Sequence, residues 1–299
     1  MIIGKTRCDL CGRRRFFVIH KKRGILPKKY LITDSSYGFH HQIVKCLSCG
    51  LVFAYPTDRE VEILSRYSSF RDEAYEQERL QRNISQRKIL DYVNKLCPKR
   101  GKLLEVGCAT GGFLSQAKAT GWRVLGVEPS TWASRIARKT HHLPVICGTL
   151  DKLKPGVKFD VVVCVDVLEH VVSPKKLLFQ MKRVLKTGGL LCIVTPDYES
   201  LVAKILKEKW WHIRTDHIFY FSQKTLDLLT AKVGFSKKYT TSYGWTFSFD
   251  YWASRFANNW KYLYLLLEGL RKVPLINRLT KRSYSIDFRD SLEVFYYKE

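Results

Sequence analysis

The sequence predicts an α/β fold, a parallel sheet covered by helices on both faces. Three observations carry that expectation. From Gly101 onward, short apolar segments alternate with stretches whose apolar residues recur at helical spacing. The segments are apolar almost throughout, as in Val161-Val-Val-Cys-Val165, which suits strands buried on two faces. The first of them runs into a glycine-rich stretch from Gly107 to Gly112, where a strand can turn tightly into a helix.

Taken in order, residues 1–55 carry two Cys-x-x-Cys pairs among short strand-like runs, Arg15–His20 and Gln42–Lys45, and read as a small ribbon-like module. Residues 56–98 are polar and helix-prone, a helical linker or cap, with Leu80, Ile84, Ile89, Tyr92 and Leu96 at roughly helical spacing. Residues 99–299 form the α/β domain. Its strands are expected at Lys102–Val106, Arg123–Val127, Pro144–Cys147, Phe159–Val165 and Leu190–Thr195, with helices at Gly112–Ala119, Thr131–Lys139 and Lys175–Leu185. Lys186-Thr-Gly-Gly189 reads as the turn that ends the last of these helices. Ser222 caps a further helix running to Val233. Gly234-Phe235 then opens a sixth strand, and Leu292–Tyr297 supplies a seventh. Between these last two lies a basic, aromatic insert at about 249–281, whose Trp252, Phe256, Trp260, Leu263, Leu267 and Leu270 make one apolar helix face.

At 299 residues, 45% hydrophobic and 26% charged, the chain has the make-up of a globular protein and not of a disordered or fibrous one. It has no run of 18 apolar residues to cross a membrane, and its first residues lack the apolar core of a secretion signal. The expected location is the cytoplasm, at most peripheral to a membrane through the 249–281 helix and anionic lipid. A net charge of +25 attracts nucleic acid, anionic lipid or phosphorylated metabolites alike.

Nine cysteines, an odd number, argue for thiols rather than a disulfide framework. Four of them form a pattern. Cys8-Asp-Leu-Cys11 and Cys46-Leu-Ser-Cys49 are each followed by glycine, and four thiolates on two such knuckles suit a tetrahedral, closed, structural Zn2+ site.

The loop Glu105-Val-Gly-Cys-Ala-Thr-Gly111 lets a ligand approach the backbone, and the helix it opens favours an anion at its N-terminus. One strand later Val124-Leu-Gly-Val-Glu128 ends in an acid at the spacing where dinucleotide folds meet a ribose. Ala109 stands where a GxGxxG phosphate loop requires glycine, which argues against a nicotinamide site.

From Leu103 to Thr195 the sequence resembles the class I S-adenosylmethionine (SAM)-dependent methyltransferases. Glu105, Gly107, Ala109 and Gly111 correspond to that family's Glu/Asp-x-Gly-x-Gly-x-Gly motif, with Ala for the middle glycine. Phe159–Val165 with Asp166-Val-Leu-Glu-His170, and Val184–Leu191 with Thr195-Pro-Asp197, resemble its later strands and loops. The resemblance implies a Rossmann-like sheet of seven strands, one antiparallel, with SAM as cofactor. It implies that Gly107, Cys108 and Ala109 line the methionine portion and that Glu105 orients its amino end. Glu128 would bind the ribose hydroxyls. Pro129 and Leu150 would border adenine, and Val165 and Asp166 would lie near the sulfonium. Methyltransferases of glycan and small-molecule pathways also resemble this chain in Cys-Gly-Leu-Val-Phe at Cys49–Phe53.

Methyl transfer to a hydroxyl or acidic carbon needs a base near the methyl group. His217, in Asp216-His-Ile-Phe-Tyr-Phe-Ser222, is the first catalytic candidate and His170 the second, with a loop-fixing hydrogen bond as the other reading of His170. Trp210, Trp211 and His212 form either an acceptor wall or core packing, and Asp197 and Tyr198 follow the fifth strand toward the acceptor. The function that results is methyl transfer to a small-molecule or glycan acceptor, sugars included. The alternative is an RNA methyltransferase with a zinc module and a basic surface, which steep salt-sensitive RNA binding would favour.

Overall fold

The computed structural model describes residues 6–24, 39–249, 262, 265, 266, 269 and 283–299. The apolar insert helix expected at about 249–281 lies almost wholly outside them.

Two N-terminal strands, β1 (Phe16–His20) and β2 (Ile43–Cys46), form where the sequence predicts short strands, and β3 (Val52–Ala54) adds a third. Their sheet does not end within the N-terminal segment. It continues onto β9 (Phe219–Tyr220), with Val52 opposite Tyr220 and Phe53 opposite Phe219. The two-residue β9 is too short to show a period in the sequence.

Residues 56–98 fold as three helices, α1 (Glu60–Ser69), α2 (Glu73–Gln77) and α3 (Arg79–Leu96). On α3 the buried stripe is Arg82, Ser85, Gln86, Ile89, Leu90 and Val93, whereas Leu80 and Ile84 of the predicted apolar face are exposed. Ile89, Leu90 and Val93 pack with Phe113 and Leu114 in one core cluster, and the same helix face carries the polar Arg82, Ser85 and Gln86 in its first two turns, which leaves Leu80 and Ile84 outside it.

Then follow β4 (Lys102–Val106), α4 (Gly112–Ala119), β5 (Arg123–Glu128), α5 (Thr131–Thr140), β6 (Val145–Cys147), β7 (Phe159–Val165), α6 (Pro174–Val184) and β8 (Leu185–Pro196). The rest comprises α7 (Leu201–Leu206), β9, α8 (Gln223–Val233), β10 (Phe235–Ser242), β11 (Trp245–Ser248), β12 (Ser283–Ile286) and β13 (Ser291–Lys298). Seven strands make the main sheet in the order β10-β13-β8-β7-β4-β5-β6. Strands β4 to β8 are mutually parallel, and β13 runs antiparallel to both β8 and β10. This is the seven-stranded, one-antiparallel arrangement that the sequence predicts.

One expected turn became strand. Lys186–Gly189 lies within β8, where Phe159 pairs with Leu185 but Val161 already pairs with Leu190. The four residues bulge out of the ladder, and Gly188 takes φ +69° to let them do so. Helix α8 starts as expected, with Ser222 Oγ accepting from Thr225 N, and Gly234 closes it in the left-handed conformation.

Two layers of side chains cover the sheet. Leu104, Val106, Val162, Cys164 and Ile193 pack on one face with α6, α8 and the N-terminal sheet. Leu103, Val161, Val163 and Cys192 pack on the other with α3 and α4. The strand order reverses on either side of β4, so the carboxyl ends of β4, β5 and β7 splay apart there. That is where an open α/β sheet leaves a crevice for a ligand.

Candidate active site

A cavity of about 410 Å³ opens at that reversal, within the size range of small-molecule and cofactor pockets. Glu105, Gly107, Cys108, Ala109, Glu128, Pro129, Leu150, Val165 and Asp166 all line it, as do both candidate histidines, His170 and His217. Gly111 is not part of the lining. It turns the chain at φ +87° as the N-cap of α4, where a Cβ would run into the Leu143 side chain.

The loop after β4 takes positive φ at Gly107, Ala109 and Gly111. Gly107 sits at φ +73° and a Cβ there would collide with Val167 Cγ2, so no side chain fits. Ala109 carries its Cβ at φ +45°, a strained choice for a non-glycine residue. Its N–H donates to Glu128 Oε2 at 2.8 Å, which holds the loop against the end of β5. Ser130 N–H donates to Glu128 Oε1, also at 2.8 Å. Each carboxylate oxygen of Glu128 thus accepts one backbone bond and keeps a further acceptor position. Burial raises Glu128 to about 7, with the Ser130 and Ala109 N–H groups working against the rise.

Glu105, on the neighbouring strand β4, is also buried. Burial, then repulsion from Glu128, raises its carboxyl well above the ordinary range, and Oε2 has no hydrogen-bond partner. Thr110 Oγ1 and Asp166 Oδ1 are also buried without one. A lining with unanswered carboxylate oxygens on Glu105 and Asp166 suits a ligand that brings its own donors, as a ribose diol and an ammonium group do.

Beyond Asp166, itself at φ +50°, a short 3₁₀ turn at Leu168–His170 ends in His170, whose Nδ1 lies 2.9 Å from the carbonyl of Asp216. The loop-fixing bond expected of His170 is therefore present. The His170 and His217 rings meet edge to face at 4.6 Å between centroids, and His212 stacks on His217 at 5.8 Å. Burial holds His217 well below the ordinary imidazole value, and the charges of His170 and Arg214 add to that. Arg214 Nε pairs with Asp216 Oδ1 at 2.5 Å beside them.

The Trp210-Trp211-His212 run divides between its two readings. Trp210 is fully buried among Ile43, Val52 and Tyr220 and donates from Nε1 to Asp290 Oδ2 at 3.0 Å. Trp211 and His212 line the cavity. Asp197 and Tyr198 do not: Asp197 Oδ1 accepts from Glu199 N, and the Tyr198 hydroxyl lies 3.5 Å from His20 Nε2.

Some lining residues carried no sequence signal. Tyr67 and Phe70, at the end of α1, line the cavity and are held against the start of α5, where Ser130 Oγ donates to Phe70 O and Thr131 Oγ1 to Ser68 O, each at 2.9 Å. Asp72, Trp132 and Trp245 also reach the cavity. Their contribution depends on docking of separate helices and strands, which no local spacing encodes.

The four knuckle cysteines come together as the sequence predicts. Their sulfur atoms all lie within 4.8 Å of one another, Cys8 from Cys49 and Cys11 from Cys46 at 3.5 Å. Four sulfurs bound to zinc at about 2.3 Å in a tetrahedron stand about 3.8 Å apart, so the geometry fits a zinc ion. Gly12 and Gly50 turn each knuckle at φ +73° and +82°, donating to the carbonyls of Cys8 and Cys46. The first knuckle docks on the α/β domain: the Asp9 carboxylate accepts from Ser173 Oγ and Lys175 N at the start of α6, both at 2.9 Å.

The comparisons with known proteins agree with this geometry. A sequence relative, the mitochondrial ubiquinone biosynthesis O-methyltransferase of Schizosaccharomyces pombe, is 34% identical over 131 residues, 39% of this chain and 47% of that protein. The ubiquinone biosynthesis O-methyltransferase of Glaesserella parasuis is 36% identical over 119 residues, 36% of this chain and 49% of the relative. The chain thus spans less than half the length of these relatives. Among solved structures, a SAM-dependent methyltransferase of Thermotoga maritima, described as a possible histamine N-methyltransferase, shares the fold. It has a TM-score of 0.51 and 22% identity, over 81% of this chain and 100% of its own. Magnesium protoporphyrin IX methyltransferase of Synechocystis, solved with bound S-adenosylhomocysteine, also has a TM-score of 0.51, at 13% identity over 80% of this chain and 94% of its own. The sequence model of a family described as "Methyltransferase domain" matches residues 75–238, from within α2 into β10 and through β4, β5, β6, β7 and β8. That match covers more than half of the chain, and with it the protein is a member of the class I SAM-dependent methyltransferases.

Proposed function

We propose that the chain transfers the methyl group of SAM to a hydroxyl of a small-molecule acceptor. One observation carries the reading: a single cavity is lined both by Glu105, Gly107–Ala109 and Glu128 and by His170 and His217. In this reading Glu128 accepts from the two ribose hydroxyls, Glu105 meets the ammonium of the methionine portion, and Pro129 and Leu150 flank adenine. Val165 and Asp166 sit beside the sulfonium, which supplies an electrophilic methyl group. His217, neutral near pH 7 because it is buried, takes the hydroxyl proton as the oxygen–carbon bond forms and the sulfur–carbon bond breaks. Holding the acceptor oxygen, the methyl carbon and the sulfonium sulfur in line accounts for much of the acceleration.

The O-methyltransferase names of the sequence relatives support a hydroxyl as acceptor. A sugar hydroxyl of a biosynthetic glycan is the acceptor we favour within that class. The support is the Cys-Gly-Leu-Val-Phe stretch at Cys49–Phe53 and its resemblance to glycan-pathway methyltransferases. In the same reading Cys8, Cys11, Cys46 and Cys49 hold a structural zinc ion that has no part in the chemistry. Calorimetric titration with SAM tests the core of the proposal. The expected result is one site per chain, and absence of binding by zinc-loaded protein would overturn it.

A further inference from the structure

Three consecutive side chains of the segment after α7 converge on one carboxylate. Trp210 Nε1 donates to Asp290 Oδ2 at 3.0 Å, the Trp211 indole donates to the same carboxylate, and His212 Nε2 lies 3.7 Å from Oδ2. Both Asp290 and Trp210 are buried. We propose that Asp290 is a positioning residue for His217: by clamping Trp210, Trp211 and His212 it fixes the backbone carbonyl that decides which nitrogen of the His217 ring carries the proton.

His217 is bonded through one ring nitrogen. The ring bonds to the backbone of His212, and Nδ1 is buried with no partner. Nε2–H is therefore the donor and the His212 carbonyl the acceptor, which leaves the lone pair on Nδ1. A carbonyl can select that tautomer only while it stays in place. Residues 210–217 belong to no helix or strand that would hold it. Their turns are closed by Ile213 N–H donating to Trp210 O at 2.8 Å and His217 N–H to Arg214 O at 3.3 Å, and neither bond involves His212. The place of the His212 carbonyl is set instead through the side chains of residues 210–212.

Asp290 supplies the fixed point. Its carbonyl accepts from Asp197 N at 2.8 Å, and the next residue, Ser291, pairs with Pro196 at the carboxyl end of β8. Because β13 runs antiparallel to β8, its first residues arrive at the end of the sheet where the cavity opens. Trp211 and His212 line that cavity and Asp290 does not, so the carboxylate acts through them. The His212 ring also stacks on His217 at 5.8 Å between centroids, with 18° between the planes. The clamp thus holds His217 at its edge by a carbonyl and on its face by a ring. What His217 does with Nδ1 rests on the methyl-transfer reading above, but which nitrogen carries the proton does not.

The test is nuclear magnetic resonance of the zinc-loaded full chain, isotope-labelled in its histidine rings, with His217→Gln to assign the signal. In the wild type the His217 proton is expected on Nε2, exchanging slowly with water. In Asp290→Ala it should exchange about tenfold faster or more, while amides of β4 and β8 keep their wild-type rates, which separates a loosened clamp from general destabilisation. Asp290→Asn keeps an acceptor oxygen for one indole but turns N–H donors toward the others. It should also exchange faster than the wild type, and it decides the matter if Asp290→Ala does not fold. A proton on Nδ1 in the wild type, or wild-type exchange at His217 in a folded Asp290 variant, would overturn the proposal. Calorimetry with SAM on the same samples should give equal affinity for the wild type and the variants. The expected exchange pattern in a protein that binds no SAM would support the clamp and sink the methyl-transfer reading instead.

Discussion

Glu128 concentrates the residue-scale argument. Its carboxylate is buried, bonded on each oxygen by one backbone N–H, and raised to about 7 by burial. If ribose hydroxyls complete its bonding, the ionised form binds SAM better. Acid then opposes binding, and affinity is expected to fall as pH drops from about 8 to about 6. Glu128→Gln should flatten that dependence and weaken SAM binding about tenfold or more, since hydrogen bonds to a charged group contribute about 1.5–3 kcal/mol. Calorimetry at several pH values reads both effects. Glu128, Gly107 and Ala109 were legible in the sequence because their placement follows from short-range rules: a strand ends, a loop needs positive φ, and an acid closes the next strand. Asp290 carries no such signal. Its contacts come from Trp210, Trp211 and His212, which reach it only through the fold.

At the scale of elements, the N-terminal sheet and α6 are coupled through the first cysteine knuckle, Asp9 capping the helix beside Ser173. If zinc holds the knuckles, Cys46→Ser should lower the zinc content measured by mass spectrometry from one per chain to none. Loss of a structural metal is among the few changes that destabilise by about 4 kcal/mol or more, so denaturant unfolding should show a shift of that size. Trp210 gives a second, independent test. Its indole is fully buried and donates to the buried carboxylate of Asp290. Trp210→Phe keeps an aromatic ring but removes one of the donors to that carboxylate, and should cost about 1–3 kcal/mol in the same experiment. Helix starts and the parallel strands were readable because caps and apolar runs are local. The bulge at Lys186–Gly189 was not, because glycines at a helix end and glycines in a bulge look alike until the neighbouring strand fixes the register. Strands β3 and β9 escaped for a related reason: each is short and is defined by its partners, β3 between β2 and β9, and β9 on β3.

For the whole molecule, the net charge of +25 leaves a choice between an RNA and a small-molecule acceptor open to experiment. The methyl-transfer reading proposed here expects RNA binding that is weak at about 0.15 M salt and lost steeply above it, as for non-specific phosphate contacts. Tight RNA binding at that salt, with methyl groups appearing in the RNA, would overturn the small-molecule reading. Among the described residues, no helix is long and apolar enough to cross a membrane. The sequence by itself determined the α/β class, the order of its main strands along the chain, the glycine-rich loop with its partner acid, and the two cysteine knuckles. All of these depend on residues within a few positions of one another or on a repeated short pattern. Only the tertiary structure decided what stands opposite that loop. Tyr67 from α1, Arg214, and the pairing of His170 with the Asp216–His217 segment come from distant parts of the chain. They meet because the sheet reverses its order at β4 and the N-terminal sheet adds β9 to its edge. A cofactor site made from one strand–turn–helix can be read locally, whereas an acceptor site assembled from separate loops exists only once the chain has packed.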